Sequence, residues 1–125
     1  MAKFLIVDDS PVERFTLRKC LEKLGHEVIC EAKNGTEALD YYKSSNPDVV
    51  VLDIVMPDEN GIDVLNKIIN YDNNAKIIMC TSSATSDFVR ITRKLGAKHF
   101  LVKPIDILSL NNILNSLQLT GSIAN

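Results

Sequence analysis

The sequence has no long apolar run, no block of like charge and few cysteines, and each shortage removes a class of protein. No stretch approaches the roughly 18 apolar residues that a membrane-spanning helix needs. The opening "MAKFLIVDD" lacks the apolar core and small-residue cleavage site of a secretory signal. A formal net charge of −2 with no basic run argues against capture of nucleic acid or membrane by a field of one sign. Cys20, Cys30 and Cys80 are odd in number and lack CxxC spacing, which speaks against a disulfide framework or a zinc site. They read as small core fillers, Cys80 inside an apolar run most clearly. His26 and His99 have no cysteine or carboxylate at ligand spacing and are expected at the surface. Repeats, low-complexity tracts and Pro/Gly-rich linkers are also missing. A reduced, cytoplasmic protein without membrane or nucleic-acid contacts is expected.

What is present fits one domain over residues 1–125, long enough to bury about two-thirds of its unfolded surface. Short apolar runs alternate with helical patterns. "KFLIV" (3–7) is the first strand, and Ser10-Pro11-Val12-Glu13 then reads as a cap, a first-turn proline and a capping-box glutamate. That helix is expected to present Val12, Phe15, Leu17, Leu21 and Leu24 and to stop at Gly25. "EVICEA" (27–32), charged at both ends, reads as an edge strand. A helix from Asn34 to about Ser45 follows, then "DVVVL" (48–52) and a loop through Asn60-Gly61. The next helix carries Ile62, Leu65, Ile68 and Ile69. "KIIMC" (76–80) and "HFLV" (99–102) bracket a fourth helix that ends at Leu95-Gly96. The last helix shows Leu110, Ile113, Leu114 and Leu117 at i, i+3, i+4, i+7 spacing.

Strands 1, 3, 4 and 5 are apolar on both alternating sets of positions, as in a parallel sheet covered on both faces. Right-handed crossovers make this a doubly wound α/β fold, (βα)5. In such sheets ligands bind beyond the carboxyl ends of the strands where strand order reverses. For a 2-1-3-4-5 order that point lies between strands 1 and 3. Asp8 and Asp9 follow strand 1, Asp53 follows strand 3, Thr81 ends strand 4 and Lys103 follows strand 5. Clustered carboxylates repel one another, and a hard divalent cation such as Mg²⁺ relieves the conflict through oxygen ligands. A carboxylate nucleophile, a cation, a lysine and a hydroxyl are the parts that phosphoryl transfer needs, with Asp53 as acceptor.

These residues resemble the response-regulator receiver domain of two-component signalling, in its stand-alone chemotaxis (CheY-like) form. "LIVDDS" matches the acidic pair, "LDIVMPDENG" the phosphoacceptor stretch, "IIMCTSS" the switch hydroxyl and "HFLVKP" the lysine–proline. The likeness spans essentially the whole chain, and the 2-1-3-4-5 flavodoxin-like order comes with it.

The resemblance implies that Asp53 is phosphorylated, that Asp9 ligates Mg²⁺ directly and Asp8 through water, and that the Val55 carbonyl completes the ligands. It implies that Thr81 and Lys103 hold the phosphoryl group. Phe100 would be the switch aromatic that moves with Thr81, reshaping the face of helix 4, strand 5 and helix 5. The implied phosphodonor is a sensor histidine kinase. The implied target is a protein such as a flagellar motor switch component or a phosphotransferase. Such a domain assists only its own phosphorylation and dephosphorylation and is not an enzyme acting on other substrates.

Ser82 stands where alanine or another small residue usually follows the switch threonine. Val55 and Ser83 occupy the positions that tune the hydrolytic water. An apolar Val55 cannot hold that water, so slow self-dephosphorylation is expected.

The outer positions of the last helix, Ser109, Asn111, Asn112, Asn115, Ser116 and Gln118, carry no charge. They offer nothing to pair with Arg90, Arg93 and Lys94. With "TGSIAN" following and no effector domain, a monomer is expected. Competing readings are a receiver of a non-chemotaxis phosphorelay, a receiver cut from a larger regulator, a Mg²⁺-dependent phosphatase or phosphotransferase and a flavin-mononucleotide-binding protein. The phosphatase class usually sets its two acids two residues apart after strand 1, whereas here they are adjacent. A flavin phosphate would be repelled by "DDSPVE".

Overall fold

The computed structural model describes residues 1–56, 59–82 and 85–117. In chain order the elements are β1 (Lys3–Val7), α1 (Pro11–Lys23), β2 (Glu27–Ala32), α2 (Gly35–Ser45), β3 (Val49–Asp53), β4 (Val55–Met56), β5 (Glu59–Asn60), α3 (Gly61–Tyr71), β6 (Ile77–Thr81), α4 (Ser86–Lys94), β7 (His99–Val102) and α5 (Ile107–Ser116). Five parallel strands form one sheet in the order β2-β1-β3-β6-β7, with β4 and β5 a separate antiparallel pair. Counting only the main-sheet strands, this is the expected 2-1-3-4-5 order.

Alternation along the strands divides the core. Phe4, Ile6, Val49, Val51, Ile78 and Leu101 face α1 and α5, packing on Leu17, Leu21, Leu110 and Leu114. Their neighbours Leu5, Val7, Val50, Leu52, Ile77 and Met79 face the other side, against Ala38, Tyr42, Val64, Leu65 and Ile68. Burying each large side chain of this kind contributes about 1.5–3 kcal/mol. A strand with partners on both faces therefore reads as an unbroken apolar run.

Helix starts are capped where the sequence places a polar side chain. Ser10 Oγ accepts from Glu13 N at 3.3 Å, and Asn34 Oδ1 accepts from Glu37 N at 2.9 Å. Asn60 Oδ1 accepts from Ile62 N at 2.8 Å. Each cap satisfies an orphan donor of the first turn. Gly25 ends α1 with φ 85°, a left-handed turn suited to glycine.

Five expectations are corrected. Val12 and Phe15 are 73% and 59% exposed. At 100° per residue they lie on the opposite side of α1 from Leu17, Leu21 and Leu24, so they never belonged to the inward stripe. β7 is the second edge strand and is not buried on both faces, since Val102 is exposed and His99 and Phe100 only half-buried. His26 is buried, because the turn at Gly25 folds its ring edge-on to Phe4 and its Nδ1 accepts from Ala2 N at 3.1 Å. Cys80 is buried as expected, but Cys20 and Cys30 are only partly so. His99 is half-buried, its Nδ1 accepting from Phe100 N.

Candidate functional site: an acidic pocket closed by one lysine

The sheet register assembles the site. Val7 pairs with Leu52, so Asp8 and Asp53 stand side by side at the carboxyl ends of β1 and β3. Asp53 pairs with Cys80 and Thr81 with Val102, which brings the ends of β6 and β7 to the same rim. Lys103 N donates to Thr81 O at 2.8 Å and launches the lysine side chain from this edge. Its ammonium crosses back over the sheet to Asp53 Oδ1 at 3.3 Å and Asp8 Oδ2 at 3.1 Å. It ends 2.6 Å from Glu13 Oε2, in the first turn of α1.

Backbone contacts hold the carboxylates in place. Asp8 Oδ1 accepts from Ser10 N at 2.9 Å, and Asp8 O accepts from Arg14 Nη1 at 2.5 Å. Arg14 is in turn anchored by Glu31 on β2, 3.1 Å from its Nε, and Arg18 binds the same glutamate. Below Asp53, Gly61 packs so tightly that a Cβ would lie 2.6 Å from Asp53 O. The β4–β5 pairing (Val55 with Asn60) and the bond from Gly61 N to Ile54 O bring the start of α3 back against β3.

Burial dominates the electrostatics. Asp53 is pushed above the usual carboxylate range first by desolvation and then by the charge of Asp8, against the opposing pull of Lys103. Asp8 is raised for the same leading reason, although Ser10 N and Lys103 favour its charged form. Desolvation pulls Lys103 down, but its bonds to Glu13 and Asp8 and the charges of Asp8 and Asp53 prevail and hold it above its ordinary range. Cys80, next to Asp53 in register, is pushed up to about 12 chiefly by burial and stays a thiol.

Oxygen atoms of Asp8, Glu13 and Asp53 come within 4.8 Å of one another, among the described residues. Two of these carboxylates are buried and under-compensated. An all-oxygen set of this kind fits a hard divalent cation such as Mg²⁺.

The structure therefore brings Asp8, Asp53, Thr81 and Lys103 to one rim, with Thr81 buried at the end of β6. Asp9 is exposed beside the pocket and outside the three-carboxylate cluster. Val55 is 76% exposed at the mouth. Phe100 is half-buried on β7, edge-on to Phe88 with centroids 6.4 Å apart and under the Arg93 guanidinium at 5.4 Å. Ser82 is exposed, and Ser83 and Gln118 lie outside the described residues.

Glu13 is the member that sequence reasoning missed. It was assigned to a capping box, but only its N–H serves the cap while its carboxylate goes to Lys103. The available signal was its place in a first turn that starts from the same rim as Asp8.

With this geometry in hand, similarity to known proteins defines the class. Residues 4–115 match the response regulator receiver domain family, and the chain belongs to it. It is 46% identical over 102 residues to chemotaxis protein CheY of Thermotoga maritima, covering 82% of this chain and 85% of that one. To protein PilH of Pseudomonas aeruginosa it is 38% identical over 119 residues, 93% of this chain and 97% of that one. Among solved structures, the CheX–CheY–BeF3–Mg complex from Borrelia burgdorferi superposes with TM-score 0.90 at 35% identity, covering 94% of this chain and 89% of that one. The chain is thus the receiver domain of a CheY-like response regulator, a module of phosphorylation-dependent signalling and not a conventional enzyme. Among the described residues, no helix is long and apolar enough to cross a membrane.

Proposed function

We propose that Asp53 accepts a phosphoryl group from a sensor histidine kinase in a Mg²⁺-dependent reaction and that a partner protein reads the result. The observation that carries this reading is the buried pair Asp8–Asp53 bridged by Lys103 Nζ at 3.1 and 3.3 Å.

Asp8, Asp9, Asp53 and the Val55 carbonyl are the residues assigned to the ion, which supplies charge neutralisation for the incoming phosphoryl oxygens. An Asp53 carboxylate oxygen forms the new bond to phosphorus as the bond to the donor nitrogen breaks, and the imidazole leaves with its electron pair. Lys103, already charged at the rim, pairs with a phosphoryl oxygen. The Thr81 hydroxyl takes another. No proton needs to leave Asp53, which must only be ionised when it attacks.

Phe100 is the proposed relay to the face of α4, β7 and α5. Its ring is held from one side by Phe88 and from above by Arg93, so a move of Thr81 at the far end of β6 has a defined aromatic to displace. Arg90 spends its guanidinium on Asp87 in its own helix at 3.2 Å, and α5 exposes Ser109, Asn112, Asn115 and Ser116. The body of α5 carries no acidic residue to pair with Arg93 or Lys94 of a second copy, which supports a monomer that acts by docking; a cytoplasmic location and one receiver domain over 1–125 are proposed with it.

The likeness to CheY proteins, one of them crystallised with CheX and Mg, supports a chemotaxis-type output. A flagellar motor switch component or a phosphotransferase is the proposed target. The relative that covers more of this chain, protein PilH, does not carry the chemotaxis name, and a receiver of a phosphorelay outside chemotaxis is the second reading.

Incubation with acetyl phosphate and Mg²⁺ tests the core of the proposal. Intact mass should rise by one phosphoryl group, and the gain should vanish in Asp53→Ala and without metal. An undiminished gain in that variant removes Asp53 from its role.

A further inference from the structure

We propose that Glu13 is a positioning residue for the active-site lysine: it takes the Lys103 ammonium and so leaves Asp8 and Asp53 available to a divalent cation. This rests on the phospho-receiver reading and concerns how this chain makes room for the metal.

Three observations carry it. First, Lys103 has three carboxylate partners among the described residues, and Glu13 is the nearest at 2.6 Å, against 3.1 Å for Asp8 and 3.3 Å for Asp53. The other two partners are the carboxylates that the cation needs. Second, the lysine side chain is only 14% exposed, so water cannot host the ammonium if those two are taken; Glu13, at 43%, sits on the open side. Third, a small cavity is lined by Glu13, Thr16, Lys103, Pro104 and Ile105, and by neither Asp8 nor Asp53. It gives the ammonium a direction to move away from the acid pair.

A cation and an ammonium repel one another when they share two carboxylates at these distances. A protein without an acid at position 13 would have to break the Lys103 contacts with nothing in return. Here the α1 cap fixes the alternative partner. Ser10 and Pro11 start the helix, which places Glu13 one turn above the rim. Asp8 contributes from the strand end directly beneath. The lysine is then returned to the phosphoryl oxygens as they arrive, because a phosphoryl group carries more charge than the carboxylate it leaves.

The test is Mg²⁺ binding to the full chain by isothermal titration calorimetry, with no phosphodonor present. Glu13→Gln should weaken Mg²⁺ by about fivefold, the scale of one partly exposed ion pair. Glu13→Asp keeps the charge but shortens the reach by a methylene, and should weaken binding as much as Glu13→Gln. In a Lys103→Met background the Glu13→Gln effect should disappear.

Binding by Glu13→Gln equal to wild type overturns the proposal. So does Glu13→Asp behaving as wild type, which would make Glu13 a bare charge. A loss that persists in the Lys103→Met background would assign Glu13 to the ion itself and overturn it too. Should Lys103→Met not fold, Lys103→Gln serves as the same background and decides between the two roles. A wild-type chain that takes up no Mg²⁺ overturns the receiver reading together with this one, whereas normal wild-type uptake with silent Glu13 variants removes only the role of Glu13.

Discussion

Gly61 is pressed against the carbonyl of Asp53: the methyl group it lacks would lie 2.6 Å from that oxygen and 2.6 Å from Ile54 Cα. Both neighbours are backbone, so neither can rotate aside. Gly61→Ala must therefore push α3 away from β3 or displace Asp53 itself. Overpacking of this kind costs about 1–3 kcal/mol. The urea midpoint should fall accordingly, and phosphorylation by acetyl phosphate should slow in the folded fraction. A midpoint equal to wild type would show that the hairpin yields freely and that Gly61 does not brace Asp53.

Neutralising Asp53 should stabilise the metal-free protein at neutral pH. Its folded pKa is raised, first by burial and then by Asp8, so the folded state holds the proton more tightly than the unfolded chain. The stability from this group is complete below the unfolded pKa near 4 and is lost as pH rises through the folded value. Asp53→Asn removes that loss while Asp8 and Glu13 keep Lys103 paired. Tm at pH 7 should rise by about 4 °C for roughly 1 kcal/mol, and the gain should shrink toward pH 4. Added Mg²⁺ should raise wild type and not Asp53→Asn. A variant less stable than wild type at pH 7 would mean that Lys103 more than compensates the burial of both acids.

Much of this arrangement was legible from residues alone, for physical reasons that differ by element. β1, β3 and β6 announce themselves because burial on both faces leaves no polar position to interrupt the run. Asp8, Asp53, Thr81 and Lys103 follow from them, since residues at strand ends inherit their place from the sheet. The β4–β5 pair has two residues per strand, too few for any period to show. Val12 and Phe15 misled because apolar character was counted without its angle around α1. Glu13 was hidden by a dual meaning: three residues after a serine cap, a glutamate serves a helix start equally well whether its carboxylate turns back or reaches across. His26 depended on a tertiary fold-back that no local pattern encodes.

That fold-back makes His26 an acid-sensitive point. Burial lowers its pKa, with a smaller contribution from the chain's amino terminus, and its Nδ1 accepts from Ala2 N. Above the unfolded value near 6.5 the ring is neutral in both states, and its stabilising contact is intact. As pH falls the unfolded chain takes up the proton first, and stability is lost down to the folded pKa. His26→Gln keeps an acceptor and cannot titrate in this range. Its unfolding free energy relative to wild type should therefore improve steadily from pH 7 to pH 5. Parallel profiles would show that His26 is not the group responsible.

Arg93 and Phe88 hold the ring of Phe100 from two sides. Arg93 is exposed, and a cation–π contact at such a site contributes about 0.5–1 kcal/mol. Arg93→Ala should change Tm by only a few degrees yet release the ring. With fluorinated phenylalanine at position 100, the fluorine signal of the variant should shift and broaden as other rotamers become populated. An unchanged signal would leave the hold on Phe100 to Phe88 alone.

On the proposed phospho-receiver reading, Val55 is the residue expected to set how long a phosphoryl group on Asp53 survives water. Its side chain is 76% exposed at the mouth of the pocket and offers no hydrogen-bonding atom to a nucleophilic water. Its backbone N–H, by contrast, faces the Asp53 carboxylate and favours the charged form of that group. An attacking water must be oriented in line with the bond that breaks, and a side-chain acceptor contributes about 1–1.5 kcal/mol toward holding it there. Val55→Asn supplies such a group without altering the buried rim. The rate of phosphoryl loss, followed by intact mass after removal of donor, should rise by about tenfold. Val55→Ile should leave the rate near wild type, because it changes size but not bonding capacity. If Val55→Ile slows decay as strongly as Val55→Asn speeds it, steric access to the pocket controls the lifetime and the missing hydrogen bond does not.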